Sequence, residues 1–202
     1  MKNKTPDFAY HMTKFFTEYL PIQRNLSPNS IATYRDTFRL LLLFYDTEKH
    51  IKPNLLTLDM LNVQQIEDFM LWLKKERNCG ASTCNQRLGA LKSFFRYLQF
   101  ALPDCALQCQ ENLAIRPMKQ PEPGLKYLTI DGIKLLLEQP DIKTKYGRRD
   151  LAILSLMYDT GARVQEIADI KIVHIRFSAP ATIRITGKGD KTRVVPLLSR
   201  TE

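Results

Sequence analysis

Apolar side chains recur at helical spacing through the first hundred residues. Phe8, Met12, Phe15 and Tyr19 make one stripe, opened by an N-cap and first-turn proline at Thr5-Pro6-Asp7 and closed by Pro21. Ser27-Pro28 starts a longer stripe through Ile31, Tyr34, Phe38, Leu41, Leu42 and Tyr45, which Lys52-Pro53-Asn54 breaks. Asn62 caps a third, with Val63, Ile66, Phe69, Met70 and Leu73 inward and Gly80 as its stop. Ser82 starts a fourth, through Leu88, Leu91, Phe95 and Leu98, ending before Pro103. Four such stripes predict a helical domain over residues 1–109.

The texture changes over residues 110–126, where Arg116-Pro117-Met118-Lys119-Gln120-Pro121-Glu122-Pro123-Gly124 holds three prolines and a glycine. That composition favours extended backbone and reads as an interdomain linker. Beyond it, Thr129 caps a helix with Ile133, Leu136 and Leu137. Arg149-Asp150 leads into a helix expected to be buried, with Leu151, Leu154 and Met157, ending at Thr160-Gly161; a short one runs from Val164 to Ala168. Periodicity then drops to two at Ile175 and Phe177, at Ile183 and Ile185, and at Val194-Val195-Pro196, with Gly187-Lys188-Gly189-Asp190 as a hairpin turn. The fold class expected is mainly α: a four-helix domain, then a partial α+β domain over residues 127–202 with a small antiparallel sheet.

Charge adds a partner class. The chain has 202 residues, a net charge of +9 and a sequence pI near 9.4. The basic excess is +4 over residues 1–110 and +5 over residues 111–202, so it is no tail on a neutral body. A polyanion such as nucleic acid is the partner that rewards this. No apolar run approaches a membrane span, and Met1-Lys2-Asn3-Lys4-Thr5-Pro6 leads into no signal-peptide core, so a soluble, cytoplasmic protein without a membrane partner is expected. Cys79, Cys84, Cys105 and Cys109 have no nearby histidine and read as reduced thiols; no metal and no cofactor are expected.

Two polar constellations carry chemistry. Asp159-Thr160-Gly161-Ala162-Arg163-Val164-Gln165-Glu166-Ile167 sets an arginine beside a helix start, where its planar fork suits two phosphate oxygens. Gly187-Lys188-Gly189-Asp190-Lys191-Thr192-Arg193-Val194-Val195-Pro196-Leu197 is a cationic hairpin whose lysine can reach a leaving oxygen. It fails the nucleotide-loop pattern, because Lys188 precedes Gly189 and Lys191-Thr192 follows Asp190.

In this order, 25 residues apart from Arg163 to Lys188, these segments resemble the tyrosine recombinase (phage integrase) family. Leu26-Ser27-Pro28-Asn29-Ser30-Ile31-Ala32-Thr33-Tyr34-Arg35 and the run from Ser82-Thr83-Cys84-Asn85-Gln86-Arg87 to Tyr97-Leu98 resemble its SAM-like core-binding domain. The resemblance implies that Arg163 stabilises charge on a scissile phosphate, that Lys188 is the general acid toward a 5′-hydroxyl, and that Glu166 orients Arg163. It implies double-stranded DNA as partner, contacted by Asn29, Ser30, Thr33 and Arg35, by Thr83, Asn85, Arg87 and Lys92, and by Lys191 and Arg193 beside Lys188. Self-association, or a full-length recombinase on the same DNA, is the implied protein partner.

One departure matters. The family pattern adds a later His-x-x-Arg, a His or Trp, and a nucleophilic tyrosine. His174-Ile175-Arg176 has the wrong spacing, and all eight tyrosines precede Arg163, the last being Tyr158, which reads as packing. The expectation is a whole core-binding domain with a truncated catalytic domain, binding DNA without cleaving it alone. A natural non-catalytic regulator competing for recombination sites is the alternative. A helical protein-interaction module is a third reading, set apart by salt-insensitive binding.

Overall fold

In the computed structural model, which describes residues 7–120, 124, 127–187 and 189–198, the chain divides into two units, Met1–Pro123 and Gly124–Glu202. The first holds α1 (Phe8–Lys14), α2 (Pro28–Glu48), α3 (Val63–Lys75), α4 (Ala81–Ala101) and α5 (Ala106–Ala114). Two of the expected caps are in place: the Ser27 oxygen accepts from the Ser30 N–H at 3.3 Å, and the Asn62 oxygen accepts from the Gln65 N–H at 3.0 Å. Each such cap satisfies one orphan donor and is worth about 1 kcal/mol.

Several boundaries differ from the sequence expectation. Thr5 and Pro6 lie outside the described residues, and Asp7 caps nothing with its side chain; its carboxylate instead accepts the Leu58 N–H at 2.9 Å. Pro21 does not end the first helix. The backbone widens into a π-helical stretch, Phe15–Gln23, and a ladder spaced five residues apart proceeds past an imino acid that has no N–H to give. Helix α2 stops at Glu48, with His50 at φ 55°, before Pro53 is reached. Gly80 does not stop α3, which ends at Lys75; it is the N-cap of α4, which therefore starts at Ala81.

The expected linker start at 110 is also corrected, because residues 110–114 complete α5. This fifth helix is docked by polar bonds as well as by Cys109. The Asn112 amide donates to the Leu61 carbonyl at 2.7 Å, and the Gln108 amide donates to the Leu58 and Leu61 carbonyls at 2.8 and 3.0 Å. A rung of rings fills the middle of this unit. The Phe94 ring lies 5.1 Å from Phe15 and 5.2 Å from Phe38, both edge-on, and Tyr97 lies 5.7 Å from Phe15.

The second unit contains α6 (Ile130–Leu137), α7 (Lys145–Thr160), α8 (Val164–Ala168), β1 (Ile175–Arg176), β2 (Thr182–Thr186) and β3 (Thr192–Pro196). Thr129 caps α6 as expected, accepting the Gly132 N–H at 3.1 Å. Thr144, not the Arg149-Asp150 pair, starts α7 by accepting the Gly147 N–H. The three strands form an antiparallel sheet in the order β1-β2-β3, with Ile183 opposite Ile175 and Val195, and Ile185 opposite Arg193. Ile183 and Ile185 turn to the same face, as a period of two requires, and are fully buried with Ala162 beside them.

The expectation that α7 is a buried helix is not met. Gly147 is its one fully buried residue, and Tyr158 is 54% exposed and is no packing residue. Its apolar residues Leu151, Leu154 and Met157 are half-buried. No described helix is long and apolar enough to cross a membrane.

Candidate functional site

The second unit's polar centre is built at the end of α7. Gly161 takes a left-handed conformation at φ 58°, its N–H returning to the Met157 carbonyl at 3.0 Å, so the chain turns sharply into Ala162 and Arg163. Arg163 is the N-cap position of α8. Its backbone N–H donates to Glu166 Oε2 at 3.1 Å, and its guanidinium Nη1 donates to Glu166 Oε1 at 2.9 Å. The Glu166 side chain is only 6% exposed, whereas the Arg163 side chain is 75% exposed. A buried carboxylate thus fixes one edge of the arginine and leaves the rest of the fork facing outward.

The hairpin joins the same carboxylate. Arg193 on β3 donates to Glu166 Oε2 at 2.8 Å. The Arg193 bond, then the Arg163 backbone and side-chain bonds, hold the Glu166 carboxyl at about 2 against an ordinary 4.5, with burial opposing. Two guanidiniums share one carboxylate, so the cluster keeps a net positive charge suited to a phosphate. Gly187 closes it from the β2 side: a Cβ there would fall 2.5 Å from Glu166 Oε1. The lack of a side chain at 187 lets the hairpin strand approach the glutamate.

Of the expected catalytic residues, Arg163 and Glu166 are in contact, as the family resemblance implied. Lys188 lies outside the described residues, though Gly187 before it touches Glu166. Arg193, expected as a phosphate contact, gives one nitrogen to Glu166 and is 38% exposed, while Lys191 is exposed. Glycine at 187, immediately before the lysine, was the available signal for the close approach.

In the first unit the expected contact residues divide by what they already bond. Arg35 and Asn29 are exposed on α2. The Thr33 hydroxyl donates to the Asn29 carbonyl at 3.0 Å, and the Ser30 oxygen sits 3.0 Å from that of Ser27, so both belong to the first turns of α2. On α4, Thr83 and Arg87 are four residues apart on one face, and the Arg87 Nε is buried with no acceptor. Asn85 and Lys92 are bound internally. Asn85 exchanges two hydrogen bonds with the Met118 backbone, at 2.9 and 2.7 Å, and the Lys92 ammonium donates to the Ile115 carbonyl at 2.6 Å. Both therefore serve the packing of residues 115–118 with at least one polar group each, and Lys92 keeps two further N–H donors.

None of the four cysteines is in a disulfide, and the described residues contain no cluster of three or more His, Cys, Asp or Glu side chains able to hold a metal.

Comparison with known proteins covers both units. Residues 14–100 match the family described as phage integrase, N-terminal SAM-like domain, and residues 126–201 match the phage integrase family itself. The chain belongs to the phage integrase family of tyrosine recombinases. Among its integrase relatives, y4rC of Sinorhizobium fredii is 35% identical over 98% of this chain and 60% of its own length. Tyrosine recombinase XerD of Listeria innocua is 32% identical over 90% of this chain and 58% of its own. The chain thus spans about three fifths of the length of these curated relatives. Two solved structures share the integrase fold. One is the XerH site-specific recombinase bound to its difH substrate, with TM-score 0.60 and 21% identity over 88% of this chain and 50% of that one. The other is the Tn1549 transposon integrase in complex with a circular intermediate DNA, with TM-score 0.66 and 13% identity over 98% and 63%.

Proposed function

We propose that this chain is the DNA-binding portion of a site-specific tyrosine recombinase. Its first unit engages duplex DNA through Arg35 and Asn29 of α2 and Thr83 and Arg87 of α4, with Ser30 and Thr33 supporting the α2 start. Its second unit offers Arg163 to a scissile phosphate, with Lys188 as general acid toward the leaving 5′-hydroxyl and Lys191 as a further phosphate contact. Arg163 acts by holding the charge that grows on the phosphoryl oxygens as phosphorus becomes five-coordinate. Glu166 is a positioning residue, and Arg193 steadies it from the hairpin. On DNA the chain works beside further recombinase copies, in the cytoplasm where that DNA lies.

The observation that carries this reading is the asymmetry of the Arg163–Glu166 pair. The glutamate is buried and ionised, and the arginine it holds is three-quarters exposed. Exposure keeps the guanidinium hydrated, as in any surface arginine, and here it also leaves clear the face that a phosphate would occupy while the buried carboxylate fixes the opposite edge.

Binding to duplex DNA at two salt concentrations tests the proposal. Several phosphate contacts require affinity to fall steeply with salt, and salt-insensitive binding would instead favour a protein-interaction module. All eight tyrosines precede Arg163, so no covalent DNA adduct is expected from this chain alone. A trapped phosphotyrosine would contradict that.

A further inference from the structure

Past α5 the chain does not leave the first unit. Ile115 is buried, and its carbonyl receives the Lys92 ammonium at 2.6 Å. Three residues on, the Met118 amide and carbonyl are both taken by the single Asn85 side chain. Asn85 and Lys92 lie seven residues apart, two turns along one face of α4, with Leu88 between them. Leu88, Met70, Ile115 and Met118 line one groove between α3, α4 and the segment that crosses them. An extended, proline-containing segment makes no helix bonds of its own, so these side chains supply the partners for its backbone.

We propose that Asn85 and Lys92 form a strap that fixes residues 115–118 on α4 and thereby sets where the connector to the second unit begins. With the strap closed, the connector starts after Met118. With it open, residues 115–118 join the connector and add roughly 13 Å of extended reach. Asn85 and Lys92 are therefore positioning residues for the start of the connector. The desolvated setting of Lys92, with Arg96 adding repulsion, lowers the proton affinity of the ammonium and agrees with an internal role. The carbonyl of Ile115 is a neutral partner, so the bond is charge-assisted and directional without forming an ion pair that salt would screen.

Hydrogen exchange and thermolysin cleavage on the full chain test the strap. Met118 donates its N–H to Asn85, so Asn85→Ala should speed Met118 exchange by about tenfold or more. Thermolysin, which cuts before Ile and Met, should then cleave at Ile115 and Met118. Lys92→Met should expose Ile115 in the same way, and Lys92→Arg should restore protection because a guanidinium still reaches a carbonyl. Exchange at Ile66 and Phe69 of α3 serves as the control for general destabilisation. Faster exchange confined to residues 115–118, with rescue by Lys92→Arg, supports the strap. Unchanged exchange at Met118 in Asn85→Ala, or acceleration of equal size in α3, would overturn it.

Discussion

The two units differ in how much of their apolar surface is spent. In the first, five helices close over Phe8, Phe15, Phe38, Phe69 and Phe94, all at or near zero exposure. In the second, the buried apolar centre is Ala162, Ile183 and Ile185, while Tyr127, Ile130, Ile172, Val173 and Phe177 stand well exposed. Burial of a large apolar side chain is worth about 1.5–3 kcal/mol, so the first unit has a far larger reserve. The second unit is organised instead around a charged centre, with Glu166 linking α8 to β3. One region is held mainly by packing and the other depends on polar geometry, and substitutions should tell them apart.

The largest effect is expected from Phe94→Ala, which empties the crossing point of the ring cluster and should cost about 3–5 kcal/mol in chemical denaturation. A loss below about 1 kcal/mol would mean that the first unit does not rest on that cluster. Gly187→Ala should cost roughly 1–3 kcal/mol, because its methyl displaces the Glu166 carboxylate. Hydrogen exchange should then accelerate in β2 and β3 and not in α3; acceleration in both would erase the distinction between the units. A further effect is pH-dependent. The Glu166 carboxyl is depressed from 4.5 to about 2, so its contribution is complete above about 4.5 and fades as pH falls through about 2. Thermal unfolding of Glu166→Gln against the parent between pH 5 and pH 2.5 should show the two curves converging toward the acid end. A constant difference across that range would remove Glu166 from the account.

What could be seen in the sequence follows the range of the interactions. Ser27, Asn62 and Thr129 were legible as caps because a cap is decided within three residues. The hairpin was legible from alternating Ile183 and Ile185 and the glycines that follow. Gly80 was misplaced because glycine serves at either end of a helix, and only the preceding backbone decides which. Helix α5 was missed because its anchoring bonds run from Gln108 and Asn112 to carbonyls about fifty residues earlier. The same reason hid the internal use of Asn85 and Lys92, whose partners lie 33 and 23 residues away. As residue types, both were indistinguishable from Arg87 on the same helix. The pairing of Arg163 with Glu166 was legible only through the family resemblance, and the bond from Arg193 to that glutamate, 27 residues on, was not legible at all.

The central claim is that α2 and α4 present a phosphate-binding face whose cations are Arg35 and Arg87. The most direct measurement is the dependence of duplex DNA affinity on salt for the parent chain and for the Arg35→Ala/Arg87→Ala variant. The account predicts a steep loss of affinity with salt in the parent and, in the variant, weaker binding with a slope reduced by about one for each arginine removed. An unchanged slope and affinity in the variant would contradict it.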